Sequence, residues 1–303
     1  MRDRTRLGAL VGALVLSASM VAPVAAQEGS EPVPYLDDQG NQLGTILIRD
    51  FADPYTEFDP ASPPGEGQRY ALLTLTFEAA EDQAFPTDPY QVQLQDSNGY
   101  LHFSQRVPRP ADSVVPDLQS QALAPFDRVS GHISYVLPAD AEIIRIIYRG
   151  DGRRIMPIVD IAEAGSVAIG EPKVITDAAG TPHGSVTVRE MVDPFMDFDP
   201  NGPPAEGQRY VLLDMVFDAA EDQAIQATPG SVGLVGTDGM IYWPAWVPRP
   251  QPFLLQYLES QPLSPGDRVS GVVGFAIPQD VEIDSVVYNH EGNRYLPLAD
   301  LQM

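Results

Sequence analysis

Two acidic stretches carry the side chains most able to do chemistry. Asp53-Pro54-Tyr55-Thr56-Glu57-Phe58-Asp59-Pro60 offers the carboxylates of Asp53, Glu57 and Asp59, and Asp193-Pro194-Phe195-Met196-Asp197-Phe198-Asp199-Pro200 offers those of Asp193, Asp197 and Asp199. Calcium takes about six to eight oxygen ligands. Each stretch would therefore need help from a neighbouring loop such as Glu81-Asp82 or Glu221-Asp222. The spacing is not that of an EF-hand loop. The plainer alternative is a solvated, proline-rich loop with Phe58 and Phe198 tucked into the core.

A second candidate emerges where two otherwise similar segments differ. Arg106, Ser113 and Asp117 stand at positions that 140 residues later hold Trp246, Phe253 and Tyr257, with Leu254 and Leu255 between the last two. Sites that are polar in one copy of a fold should be exposed in both. Aromatic and aliphatic groups at such sites make an exposed apolar patch of the kind that marks interfaces. Trp246, Phe253, Leu254, Leu255 and Tyr257 are accordingly the candidate partner-binding residues. The alternative is that they cover the end of the domain or pack against its neighbour. Trp243, in place of Phe103, is expected to be core in both segments.

Other chemistry finds little support. Arg69, Arg109 and Arg128 recur as Arg209, Arg249 and Arg268. Arginine forks onto anions, but in so acidic a chain pairing with Asp or Glu is the expected use. The four histidines, His102, His132, His183 and His290, are scattered and unshared between the segments, which argues against a mononuclear metal site. A nucleophile elbow and the H-E-x-x-H metal motif are both missing from the sequence, and adjacent carboxylates such as Glu81-Asp82 say nothing about acid–base work. The expectation is a non-enzyme, with a hydrolase assembled from scattered residues as the remote alternative.

The elements that must position these residues come in two sets. Gly67-Gln68-Arg69-Tyr70 recurs as Gly207-Gln208-Arg209-Tyr210, an offset of 140 residues that also carries Val107-Pro108-Arg109-Pro110 onto Val247-Pro248-Arg249-Pro250, and Asp127-Arg128-Val129-Ser130-Gly131 onto Asp267-Arg268-Val269-Ser270-Gly271. A duplication that keeps its loop lengths, in units long enough to close their own cores, predicts two domains of one fold.

Within each unit the hydrophobic period is two. Ala71, Leu73, Leu75 and Phe77 alternate with Leu72, Thr74 and Thr76; Val129, Gly131, Ile133 and Tyr135 make a second such run. Both patterns predict half-buried strands. Further strands are predicted over 45–49, 91–95, 143–148 and 154–159, with counterparts 140 residues on. Asn98-Gly99 and Asp238-Gly239 suit hairpin turns that need positive φ, and Asp151-Gly152 and Glu291-Gly292 mark a second turn in each unit. Pro265-Gly266 suits a type II turn, whereas Pro125-Phe126 lacks the glycine and should adopt type I. Proline, at 30 of 303 residues, is confined in sheets to edges, bulges and loops. About seven short strands per unit and no amphipathic helix predict an antiparallel β-sandwich.

Charge and the N-terminal segment set the compartment. Arg2, Arg4 and Arg6, an apolar run from Leu7 into Val24, and the small residues Val24-Ala25-Ala26 read as a signal peptide cleaved after Ala26. The domains are then expected at 27–163 and 164–303, joined near Ala164-Gly165-Ser166. The chain has no cysteine and a formal charge of −24, with Lys173 its only lysine. Such a surface repels nucleic acid and anionic membranes, and no later segment is apolar enough to span a bilayer.

Gly67-Gln68-Arg69-Tyr70 opening an alternating strand, Val92-Gln93-Leu94-Gln95-Asp96-Ser97-Asn98-Gly99, and Leu123, Pro125, Asp127 and Gly131 leading to Leu137-Pro138 give the chain its likeness to a known family. It resembles the bacterial secreted immunoglobulin-like domains of unknown function grouped with the mycobacterial immunoprotective extracellular antigen. The resemblance covers nearly all of both units. It implies an exported, all-β chain of two tandem immunoglobulin-like sandwiches, and no agreed activity. Glu78 and Asp218 depart from it, where asparagine would be expected. The functional expectation is an extracytoplasmic, non-catalytic module that binds a protein or cell-wall partner. A pair of calcium-stabilised spacer domains is the alternative.

Overall fold

The computed structural model describes residues 31–37, 41–110, 115–149, 156–160, 168–177, 180–250, 255–290, 292 and 294–301. The expected signal peptide, the expected linker at Ala164-Gly165-Ser166, Asp151-Gly152, Ser113, Phe253 and Leu254 lie outside them. The chain is all-β. Strands β1 (Val33–Leu36), β2 (Gln42–Ala52), β3 (Gln68–Ala79), β4 (Phe85–Thr87), β5 (Val92–Asp96), β6 (Leu101–His102), β7 (Gln121–Leu123), β8 (Arg128–Pro138), β9 (Ile143–Tyr148) and β10 (Met156–Asp160) make up the first half. The second half contributes β11 (Lys173–Thr176), β12 (Pro182–Val192), β13 (Gln208–Ala219), β14 (Ile225–Ala227), β15 (Val232–Gly236), β16 (Ile241–Tyr242), β17 (Gln261–Leu263), β18 (Arg268–Pro278), β19 (Ile283–His290) and β20 (Arg294–Asp300). Helical structure among the described residues is confined to two short 3₁₀ turns, Pro89–Gln91 and Pro229–Ser231, and no helix there is long and apolar enough to cross a membrane.

Each half has two four-stranded antiparallel sheets. Their orders are β1-β2-β3-β8 and β10-β9-β5-β6 in the first half, and β11-β12-β13-β18 and β16-β15-β19-β20 in the second. The alternation in the sequence determines which residues meet. Leu73, Leu75 and Phe77 of β3 and Ile133, Tyr135 and Leu137 of β8 face Val92, Leu94, Ile146 and Tyr148 of the opposite sheet across one core. Leu213, Met215, Phe217 and Phe275 do the same with Val232, Leu234, Val286 and Tyr288. Full burial of such side chains is worth roughly 1.5–3 kcal/mol each, so each half has enough core to hold its sheets together. The architecture is β-sandwich-like. Tyr135 spans the first core, its hydroxyl donating to the Val92 carbonyl at 3.1 Å, and complete burial pushes its pKa far up.

One turn departs from expectation. Asp127 N donates to Ala124 O at 2.9 Å and Asp267 N to Ser264 O at 2.9 Å, so the turns correspond. Gly266 has φ 78° and Phe126 φ 67°. The first turn therefore uses the left-handed geometry that Phe126 was expected to forbid. The demand of the flanking strands for the same closure overrides the local preference of the residue.

Candidate functional site

The candidate surface is built by the segment between β16 and β17, which lies across the outer face of the β11-β12-β13-β18 sheet. Two limbs fasten it to β18: Ala245 N donates to Gly274 O at 2.8 Å, Leu258 N to Val272 O at 3.0 Å, and Val272 N to Gln256 O at 2.9 Å. The fit requires a missing side chain, since a Cβ on Gly274 would stand 2.7 Å from Val247 Cγ2 and 3.0 Å from Ala245 O. Val247, thus seated, forms a small outer cluster with Tyr210 and Leu212, against which Phe195 and Phe198 pack.

Trp246 and Tyr257 lie on opposite limbs of this segment. Their ring centroids are 4.4 Å apart at an interplanar angle of 34°. The Arg249 guanidinium carbon lies 4.4 Å from the Tyr257 centroid, and Arg249 Nη2 donates to Leu255 O at 2.8 Å. The Tyr257 hydroxyl donates to Val247 O. Tyr257 is thus flanked by an indole and a cation and tied to the opposite limb, while Trp246 remains 70% exposed and Leu255 is exposed as well. A ring locked by its neighbours and open to solvent loses little rotamer freedom when it meets a ligand.

The first half solves the same packing problem with charge. Its covering segment is fastened alike, Gln105 N to Ser134 O at 2.8 Å and Leu118 N to His132 O at 3.0 Å. Arg109 Nη2 donates to Asp117 Oδ1 at 2.6 Å, Arg109 Nη1 to Val115 O at 2.9 Å, and Arg106 is exposed. An ion pair in one half thus corresponds to an aromatic stack in the other. His132, bonded through Nδ1 to Thr74 Oγ1 at 2.8 Å, has its pKa lowered by burial and by Arg109, against the opposing pull of Asp117 and Asp50.

The acidic residues are engaged differently from a calcium shell. Asp53 takes Arg69 Nε at 2.6 Å on Oδ1 and Arg69 Nη2 at 2.8 Å on Oδ2. Asp193 takes Arg209 at 2.6 and 2.9 Å in the same fork, which raises the Arg209 pKa. Asp59 Oδ1 accepts from Ala61 N at 2.9 Å and Asp199 Oδ1 from Asn201 N at 2.9 Å, so both close their own loops. Glu57 and Asp197 are exposed. Phe58 packs edge-on to Tyr70 at 5.2 Å and Phe198 to Tyr210 at 5.5 Å. Among the described residues no three His, Cys, Asp or Glu side chains gather into a group that could hold a metal ion. Arginine pairing extends to Arg268, 3.3 Å from Asp218, whereas Arg249 sits on an aromatic ring.

Two features escape sequence reasoning. Phe103 is 46% exposed, and Trp243 packs instead with Leu101, Ile147, Ile241 and Tyr295 in a cluster drawn from both halves. That junction includes Arg294, a residue absorbed by the strand pattern. The available signal was outward-facing apolar residues, Leu101 and Ile147, on strands whose inner faces were already accounted for.

No protein-family model matches the chain, and no curated protein matches it in sequence. Among solved structures it is similar to the yjhA protein from Bacillus subtilis, with 20% identity and a TM-score of 0.30, over 45% of this chain and 84% of that one. A likeness so slight transfers neither fold nor activity, and the resemblance to secreted immunoglobulin-like domains rests on its sequence motifs.

Proposed function

We propose that this is an exported, non-catalytic binding module, two tandem immunoglobulin-like domains after a cleaved signal peptide, that contacts an envelope protein or cell-wall polymer through Trp246, Leu255 and Tyr257. Phe253 and Leu254, which precede Leu255 in the sequence, are included in the proposal. The observation that carries the reading is Trp246, 70% exposed yet held 4.4 Å from Tyr257. Exposed apolar groups rimmed by polar ones mark interaction sites, and Trp, Tyr and Arg are the residues over-represented among binding hot spots. The formal charge of −24 disfavours acidic partners.

The test exchanges the residues for those of the first half: Trp246→Arg, Phe253→Ser and Tyr257→Asp. Asp at 257 can pair with Arg249 as Asp117 pairs with Arg109, so the fold is expected to survive. Retention of purified wall polymer and of envelope proteins on the immobilised mature chain is measured beside circular dichroism. Loss of a retained partner, on the order of tenfold or more in affinity for removal of hot-spot aromatics, with an unchanged spectrum supports the reading. Equal retention by both proteins overturns it.

The spacer alternative draws support from the junction between the halves, and in its calcium-dependent form predicts a melting temperature that rises with calcium.

A further inference from the structure

We infer that the two halves fold and unfold as one cooperative body, locked through the outer faces of their β5/β9 and β15/β19 sheets and pinned by Arg294. Strand alternation places Val92 and Leu94 of β5 inward, leaving Gln93 and Gln95 on the outer face. Outward polar residues on a free sheet would be wet, yet both are buried. The other half reaches this face at Gln95. Leu101 and Ile147 pack with Ile241 and Tyr295, and Gln95 Nε2 donates to Tyr295 O at 3.0 Å. Leu101 corresponds to Ile241 and Ile147 to Val287, which packs on the same cluster. The halves therefore meet like against like, the pattern of an isologous dimer interface contained within one chain.

Arg294 is 2% exposed. Its Nε donates to Asn98 O at 2.8 Å and its Nη2 to Thr176 Oγ1 at 2.8 Å, with Nη1 on Thr176 O. Its guanidinium carbon lies 4.5 Å from the Tyr100 ring centroid. One buried cation thus joins the β5–β6 turn of the first half to β11 and β20 of the second. Backbone pairing continues the link, with Tyr295 N donating to Gly99 O at 2.9 Å. Gly99 is needed there for its φ of 83° and for the approach itself, since a Cβ would lie 2.6 Å from Tyr295 O. Separating the halves would strip the Arg294 guanidinium of its Asn98 acceptor and of the Tyr100 ring and expose the apolar cluster, so neither half can open at the junction without loss to the other. This inference is independent of the binding reading.

The test is differential scanning calorimetry of the mature chain with Leu101→Ser and Arg294→Met variants. The wild type is expected to give one transition with calorimetric and van't Hoff enthalpies equal. Leu101→Ser, altered only in the first half, is expected either to lower the midpoint of the whole transition by more than about 5 °C or to split it in two, and Arg294→Met to do likewise from the other side. Two independent transitions in the wild type overturn the inference. So does a Leu101→Ser protein whose single transition is unmoved, whatever Arg294→Met does to the folding of the second half.

Discussion

At the scale of the residue, backbone conformation and side-chain identity disagree, among the described residues, at Phe126. Phe126 occupies the left-handed region at φ 67°, where a residue with a Cβ is disfavoured by roughly 1–2 kcal/mol. The residue is 68% exposed, so little burial offsets that strain. Gly266 fills the corresponding place in the second half. Phe126→Gly removes the strain and adds unfolded-chain entropy worth about 0.5–1 kcal/mol. The expected net gain is about 0.5 kcal/mol, read as a rise in the urea midpoint with unchanged slope. A fall in the midpoint would show that the Phe126 side chain contributes contacts the turn depends on.

Among the elements, those that the sequence pattern predicted are the ones long enough to show a period. β3 and β8 span the predicted runs at 70–77 and 129–135 and extend beyond them, because alternation over so many residues marks a strand. β1, β4, β6 and β7 went unread: they have two to four residues each, too few for a period to show. The candidate surface was half legible. Comparing Arg106 with Trp246 and Asp117 with Tyr257 located it, but the stacking of Arg249 on Tyr257 depends on limbs brought together by β18, which no local pattern encodes. The glycine at 274 belongs to that same assembly. Gly274→Val would drive a branched side chain into Val247 Cγ2, 2.7 Å from where its Cβ must go. Overpacking of this kind costs about 1–3 kcal/mol and would lift the Trp246 limb off the sheet. Gly274→Val is therefore expected to lower chemical stability by that amount and to raise the accessibility of Trp246 to acrylamide quenching. An unchanged quenching constant would mean that the limb is held by its ends alone.

For the whole molecule, 42 acidic residues against 18 basic ones give a self-repulsion that the ion pairs offset only locally. The Asp53–Arg69 and Asp193–Arg209 forks are partly buried and short, and are screened less than the exposed excess of carboxylates. Added salt shortens the Debye length from about 10 Å at 0.1 M toward 3 Å at 1 M. It should therefore relieve more repulsion than attraction, and the melting temperature should rise with sodium chloride and with choline chloride alike. Calcium separates this general effect from a specific one. With Asp53 and Asp193 already forked onto arginines and Asp59 and Asp199 bonded within their own loops, millimolar calcium at constant ionic strength is expected to shift the transition no more than magnesium does. Ligand binding to the native state alone stabilises it by about 2.7 kcal/mol at a hundredfold excess over Kd, which would be plain in a thermal scan. A calcium-specific rise of that size would show that the arginine forks yield to the ion, and would favour the spacer over the binding module.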